Sequence, residues 1–122
     1  MILLMVCLGA AVGAPARYLT DRAIQARHDS VFPWGTLTVN VVGSLILGLL
    51  TGVASQHHVP AEVVAALGTG FCGALTTYST FGFETVRLVQ DGARFYAVLN
   101  VVASLLAGFG VAALGYAIGV AL

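Results

Sequence analysis

Four long apolar stretches alternate with short polar ones along the chain, and this pattern predicts an all-α membrane protein of four transmembrane helices. Helix 1 is expected over about Ile2 to Arg22, helix 2 over Gly35 to Ala54, helix 3 over Ala61 to Val89, and helix 4 from Phe95 to the C-terminus. The connections are Gln25 to Pro33, with Arg27, His28, Asp29 and Ser30; a short loop at Ser55 to Pro60; and a turn at Gln90 to Arg94 signalled by Asp91-Gly92. Phe32, Pro33 and Trp34 suit the membrane interface, where Trp is enriched. Four spans of ~20 residues leave no room for a soluble domain, so residues 1–122 read as a single transmembrane domain.

The few polar residues inside the spans fall on faces. In helix 1, Gly9, Gly13 and Arg17 recur at four-residue spacing, and Pro15 is expected to kink the helix. In helix 2, Thr36, Asn40, Ser44 and Gly48 form one narrow stripe, with Gly43 and Thr51 beside it. In helix 4, Asn100, Ser104, Gly108, Gly115 and Gly119 lie near one line. Small residues at such spacings let helices approach closely, so these faces point to helix partners and to oligomerisation. Asn40 asks for more than packing, because a carboxamide at membrane depth carries two donors and an acceptor that need partners. It is therefore expected to line a polar path. Arg17, near the far end of its span, either snorkels to the interface or holds a positive charge at a pore mouth.

Helix 3 breaks the rule of faces. Thr76, Thr77, Tyr78, Ser79 and Thr80 are five consecutive hydroxyl side chains, which on a continuous helix would point in every direction, some into lipid. Gly68, Gly70, Gly73 and Gly82 flank the run, and glycine frees the backbone for other conformations. Unbroken, the helix would be about 43 Å long against a ~30 Å core. The helix is therefore expected to break between Gly70 and Glu84, at membrane depth, where irregular backbone must be buried in protein or line a watery path. Tyr78 and Phe81 are close enough in sequence for their rings to meet, and an aromatic edge is electropositive enough to face an anion. Glu84 is expected to pair with Arg87 one turn away, the alternative being a place at the cavity mouth.

Composition agrees with a membrane assignment. The chain of 122 residues is 59% hydrophobic and only 8% charged, and its mean hydropathy is +0.98. With zero net charge it carries no electrostatic footprint for nucleic acid. Cys7 and Cys72 lie in apolar segments and read as small buried hydrophobes, not as a disulfide. The N-terminal segment lacks the positive region of a signal peptide and is expected to be retained as helix 1. His57 and His58 have no ligand cluster around them and read as solvated loop residues. No enzyme constellation is present: no HExxH, no GxSxG and no P-loop. What remains is a set of neutral donors and aromatic edges, which suits a small dehydrated anion.

Three stretches carry a resemblance: GAAVGAPARYL at Gly9–Leu19, GTLTVNVVGSLILG at Gly35–Gly48 and GFCGALTTYSTF at Gly70–Phe81. In this order, on these helices and over essentially the whole chain, they resemble the Fluc/CrcB family of fluoride channels. The resemblance implies an antiparallel, dual-topology homodimer in the bacterial inner membrane that passively exports fluoride, which enters as HF and is trapped in the more alkaline cytoplasm. It implies two pores per dimer along the subunit interface. A structural Na⁺ at the dimer centre would be held by backbone carbonyls that fall on Gly73 and Thr76. The pore asparagine falls on Asn40, the two phenylalanines whose edges face fluoride on Tyr78 and Phe81, the helix 4 hydroxyl track in part on Ser104, and the vestibule arginine on Arg17. With the rest of the hydroxyl run, the expected fluoride pathway is Asn40, Thr77, Tyr78, Ser79, Thr80, Phe81 and Ser104.

The chain departs from the family pattern in places. Tyr78 stands where the first phenylalanine is usual, and its hydroxyl either narrows the path or binds the ion directly. Asn100 and Gly108 stand where hydroxyls are expected. All five arginines (Arg17, Arg22, Arg27, Arg87 and Arg94) lie on one side of the four-span topology, which by the positive-inside rule places both termini outside. That bias sits poorly with dual topology and keeps open a fixed orientation, with an oppositely oriented paralogue as partner. Two other classes compete. A small four-helix multidrug/proton antiporter needs a membrane-depth glutamate, and helix 1 has no acid before Asp21. A non-transporting structural subunit leaves the hydroxyl run without a purpose.

Overall fold

A computed structural model describes residues 1–27 and 32–122 of the chain. Every regular element among the described residues is helical. Helix α1 spans Ile2–Arg27 and continues through Pro15. It runs past the expected end at Arg22, because Ala23, Gln25, Ala26 and Arg27 are good helix formers. Residues 28–31 of the expected first connection, with His28, Asp29 and Ser30, lie outside the described residues. Helix α2 spans Trp34–Gln56, a little longer at both ends than expected.

The third span is made of two pieces. The first, α3, covers residues 61–75; it opens as α-helix at Ala61–Val64, widens into π-helix over Ala65–Cys72 and closes with an α-turn at Gly73–Leu75. The second, α4, is Ser79–Gln90. Between them Thr76 is extended, with φ −83° and ψ 159°. The break predicted from the hydroxyl run is therefore present, confined to residues 76–78. The wider π-turn ahead of it was not foreseen, and π-helix within a span is rare and concentrated at functional sites. Helix α5 spans Arg94–Ala121. The turn into it is the one that Asp91-Gly92 announced. Gly92 has φ +80°, and the Ala93 and Gly92 N–H groups donate to the carbonyls of Leu88 (2.8 Å) and Val89 (3.1 Å), the two bonds of a Schellman C-cap.

Helices α1, α2 and α5 are each long and apolar enough to cross a membrane, and α3 and α4 together are long enough to make a further crossing. Two glycine-lined seams hold the bundle together. In the first, Gly9 and Gly13 of α1 lie against the backbone of Ala66 and Phe71 in α3, while Gly70 lies against Val6. In the second, Gly48 and Gly52 of α2 face Ala112, Tyr116 and Gly119, while Gly115 and Gly119 of α5 face Leu45, Leu49 and Val53. A Cβ on Gly115 would sit 2.6 Å from the Leu45 carbonyl oxygen. Lipid offers no hydrophobic drive between helices, so backbone-to-backbone packing supplies the attraction. The small-residue faces of helices 1, 2 and 4 are thus close-packing surfaces as expected, and glycines on all three pack against helices of the same chain.

The bundle remains thin. Among the described residues Val39 and Asn100 are the largest side chains below 2% exposure, and apolar residues such as Leu3, Leu106 and Phe109 face outward. Gly115→Val is expected to destabilise the fold by about 2–3 kcal/mol through overpacking. Gly110→Ala, where a Cβ meets nothing within 4 Å, should change it by no more than about 1 kcal/mol. Denaturation in mixed detergent micelles, followed by circular dichroism, reads both.

Candidate ion pathway at the broken helix

A broken helix leaves N–H and C=O groups without helical partners, and at membrane depth each must find another. The stripe on α2 provides two of them. Asn40 Nδ2 donates to the Thr77 carbonyl at 3.0 Å, and the Thr77 N–H donates to Asn40 Oδ1 at 2.8 Å. The carboxamide thus pairs with the Thr77 backbone as a second peptide group would. The Thr77 hydroxyl accepts from the Thr80 N–H at 3.2 Å and caps the start of α4. The Thr76 hydroxyl and N–H both turn back to the Cys72 carbonyl, at 2.8 and 3.0 Å. Gly43 makes room for this turn, since a Cβ there would collide with the Thr76 methyl.

These bonds redirect two donors. In an unbroken helix the Thr77 N–H would serve the Gly73 carbonyl, and the Thr80 N–H would serve Thr76. Among the described residues, no group donates to either carbonyl.

The other members of the α2 stripe also face inward. Thr36, only 3% exposed, donates to Glu84 Oε1 and ties α2 to α4. Ser44 donates to the Asn40 carbonyl at 2.7 Å. The expected Glu84–Arg87 pair is therefore corrected. Glu84 takes the Thr36 hydroxyl across the helix interface, and Arg87 lies 3.8 Å from Asp91 in an exposed pair. A partly buried carboxylate gains more from a nearby hydroxyl donor than from an exposed guanidinium drawn by a second acid.

An open groove of about 390 Å³ runs beside the break, lined by Asn40, Thr77, Tyr78, Phe81 and Ser104 among others. Asn40 keeps one amide hydrogen that Thr77 does not use. The Tyr78 and Phe81 rings are neighbours as expected, with centroids 6.1 Å apart and planes tilted by 47°. Tyr78 is 86% exposed, so its ring stands out from the subunit. A second cavity of about 200 Å³ is lined by Arg17, Tyr18, Asp21, Thr36, Thr77 and Thr80. Thr77 lines both cavities. Thr80 belongs only to the second, and the exposed Ser79 lines neither.

On α5 the expected polar track divides. Ser104 reaches the groove, but Asn100 is 1% exposed and bonded through both its amide nitrogen and its amide oxygen. It donates to the Thr85 hydroxyl at 2.9 Å and accepts from Ser104 at 3.4 Å, which pins α4 to α5. Thr85 was missed in the sequence because it stands outside the hydroxyl run; the need of a buried asparagine for a partner was the signal available.

Fold and site together define a multi-pass α-helical membrane protein with one span interrupted beside a polar groove. The chain belongs to the CrcB-like family, described as "CrcB-like protein, Camphor Resistance (CrcB)", whose profile matches residues 4–116. It is 61% identical over 120 residues to a protein of Frankia casuarinae named fluoride-specific ion channel FluC 1, covering 94% of this chain and 93% of that one. It is 59% identical over 112 residues to the FluC 1 of Streptomyces avermitilis, covering 92% and 90%. A fluoride-specific ion channel FluC of a Shewanella species is 44% identical over 102 residues, covering 84% and 82%.

The Asn100–Thr85 bond allows a direct energetic test. Asn100→Ala should cost about 2–3 kcal/mol, because it leaves the Thr85 hydroxyl without its donor and opens a cavity. Adding Thr85→Val should cost less than the sum of the single changes by about 1 kcal/mol, as read from a double-mutant cycle in micelles.

Proposed function

We propose that the protein is a fluoride-selective passive channel that exports cytoplasmic fluoride across the bacterial inner membrane and so lowers its toxicity. The observation that carries this reading is the groove, where an amide hydrogen, hydroxyls and two aromatic rings meet beside a helix break without a carboxylate among its lining residues. Neutral donors can replace part of the hydration shell of a small anion, and ring edges add positive potential. Relatives of high identity are named fluoride-specific ion channels, an activity that is not enzymatic.

Within this reading, fluoride passes Asn40, Thr77, Tyr78, Phe81 and Ser104. The second cavity, with Thr80 and Arg17, serves as a vestibule, its guanidinium drawing anions toward Thr77. Ser79 borders the path only once a second subunit is in place. One thin subunit with an open groove leaves the conduit unwalled. An antiparallel dual-topology dimer with two pores would close it, and the outward-standing Tyr78 suits such an interface.

The donor set also fits a structural sodium ion at the dimer centre. A hard monovalent cation takes oxygen ligands, and the Gly73 and Thr76 carbonyls have no donors among the described residues. Two copies would supply four such oxygens. Sodium bound there would neutralise their partial charge and tie the two breaks together.

A variant of this reading has a specific observation behind it. All five arginines fall on one side of the topology, which favours a fixed orientation and an oppositely oriented paralogue as partner. A C-terminal reporter should give signal on both sides of the membrane for the homodimer and on one side only for the heterodimer. For the channel itself, liposomes carrying the purified protein should release fluoride rapidly and retain chloride, and Asn40→Asp should slow fluoride release by at least ~100-fold by placing a carboxylate on the path. Wild-type liposomes that retain fluoride, with and without the paralogue, would exclude the channel.

A further inference from the structure

The cation reading leaves open why two main-chain carbonyls in the middle of a membrane span should lack hydrogen-bond donors. An uncovered carbonyl in hydrocarbon is costly, and a helix relieves that cost by default. The sequence has no proline in this segment to remove the donors. Both donors are present and both are occupied elsewhere. The Thr77 N–H is taken by Asn40 Oδ1, and the Thr80 N–H by the Thr77 hydroxyl.

We propose that Asn40 and Thr77 are the positioning residues of the cation site. Asn40 withdraws the N–H that would cover the Gly73 carbonyl, and the Thr77 hydroxyl withdraws the one that would cover Thr76. This inference rests on the sodium reading given above and explains how one chain prepares its half of that site. The residue that keeps the Gly73 oxygen free is also a lining residue of the anion groove. Asn40 therefore serves two ions: its side chain lines the groove with one amide hydrogen that Thr77 does not use, while its other polar contacts hold the Thr77 backbone in the conformation the cation requires. Gly43 is part of the same device, because the Thr76 methyl occupies the space its missing side chain leaves.

The alternative is that Asn40 contacts only the anion and that the break forms without it. The two differ in what sodium sees. The full chain, purified in detergent, is titrated with sodium chloride against N-methyl-D-glucamine chloride at constant ionic strength, and the midpoint of sodium-dependent thermal protection is read. Thr77→Val keeps the shape of the side chain but loses the acceptor, so the Thr80 N–H returns to Thr76 and the midpoint should rise ~10-fold. Asn40→Leu should raise it at least as far. Thr77→Ser restores the hydroxyl and should stay within about 2-fold of wild type.

Wild-type midpoints in folded Thr77→Val and Asn40→Leu would overturn the proposal. Where Asn40→Leu fails to fold, Thr77→Val decides alone. Equal protection by potassium would also overturn it, since the effect would then not be that of a selective site. A wild-type protein that transports fluoride but gains no protection from sodium removes both the cation reading and this inference, and leaves the channel reading standing.

Discussion

The structure depends on how a main chain can be interrupted inside a membrane. Water is absent there, so each peptide group released from helical bonding needs a partner from the protein. The Asn40 carboxamide meets this need for Thr77 by occupying both its N–H and its C=O. The Thr77 hydroxyl meets it locally for the first turn of α4, while the Thr76 hydroxyl satisfies itself on the Cys72 carbonyl at the end of α3. The five-hydroxyl run thus has two tasks. Part of it replaces lost helical bonds, and part of it faces the groove. Within the otherwise largely apolar α2, Asn40 of the polar stripe performs this service.

The glycine seams are the second requirement. The clamp works only if α2 lies close to the break and α1 backs it. Gly9, Gly13 and Gly70 bring α1 onto α3, and Gly48, Gly52, Gly115 and Gly119 lock α2 to α5. The buried Asn100 then ties α5 to α4 through Thr85. The half-helices on either side of the break are thus held by different partners, α3 chiefly by α1 and α4 by α5 and the Thr36–Glu84 bond. Such an arrangement fixes the break from both ends and leaves the groove side of the subunit open.

Much of this was legible in the sequence, and what was not has definite causes. Apolar run length placed the spans, because the bilayer sets a minimum length whatever the tertiary structure. The break was legible because five successive hydroxyls have no single-faced solution on a helix. The demand of Asn40 for partners was legible from its chemistry, but that the partner would be main chain was not, since a backbone acceptor leaves no mark in side-chain patterning. The Glu84–Arg87 expectation failed because it weighed a neighbour on the same helix only against the cavity mouth, and not against a donor on another helix. Thr36 is distant in sequence and becomes a competitor only after the helices pack. The small-residue faces were legible as close-packing surfaces, but that helices of the same chain occupy much of them was not, because spacing names a seam without naming its occupant. The π-turn over Ala65–Cys72 has no periodic signature to read.

The central claim is that side chains divert the backbone donors at the break and leave specific carbonyls uncovered. The infrared band of an isotope-labelled Gly73 carbonyl in sodium-free bilayers tests it most directly, and Cys72, immediately before it, permits ligation of a synthetic 72–122 segment carrying the label. The account predicts a band displaced to higher frequency than that of a labelled helical carbonyl such as Val101, as for a carbonyl without a donor. A band at the ordinary helical position would mean that the Thr77 N–H serves Gly73 after all, and would contradict it.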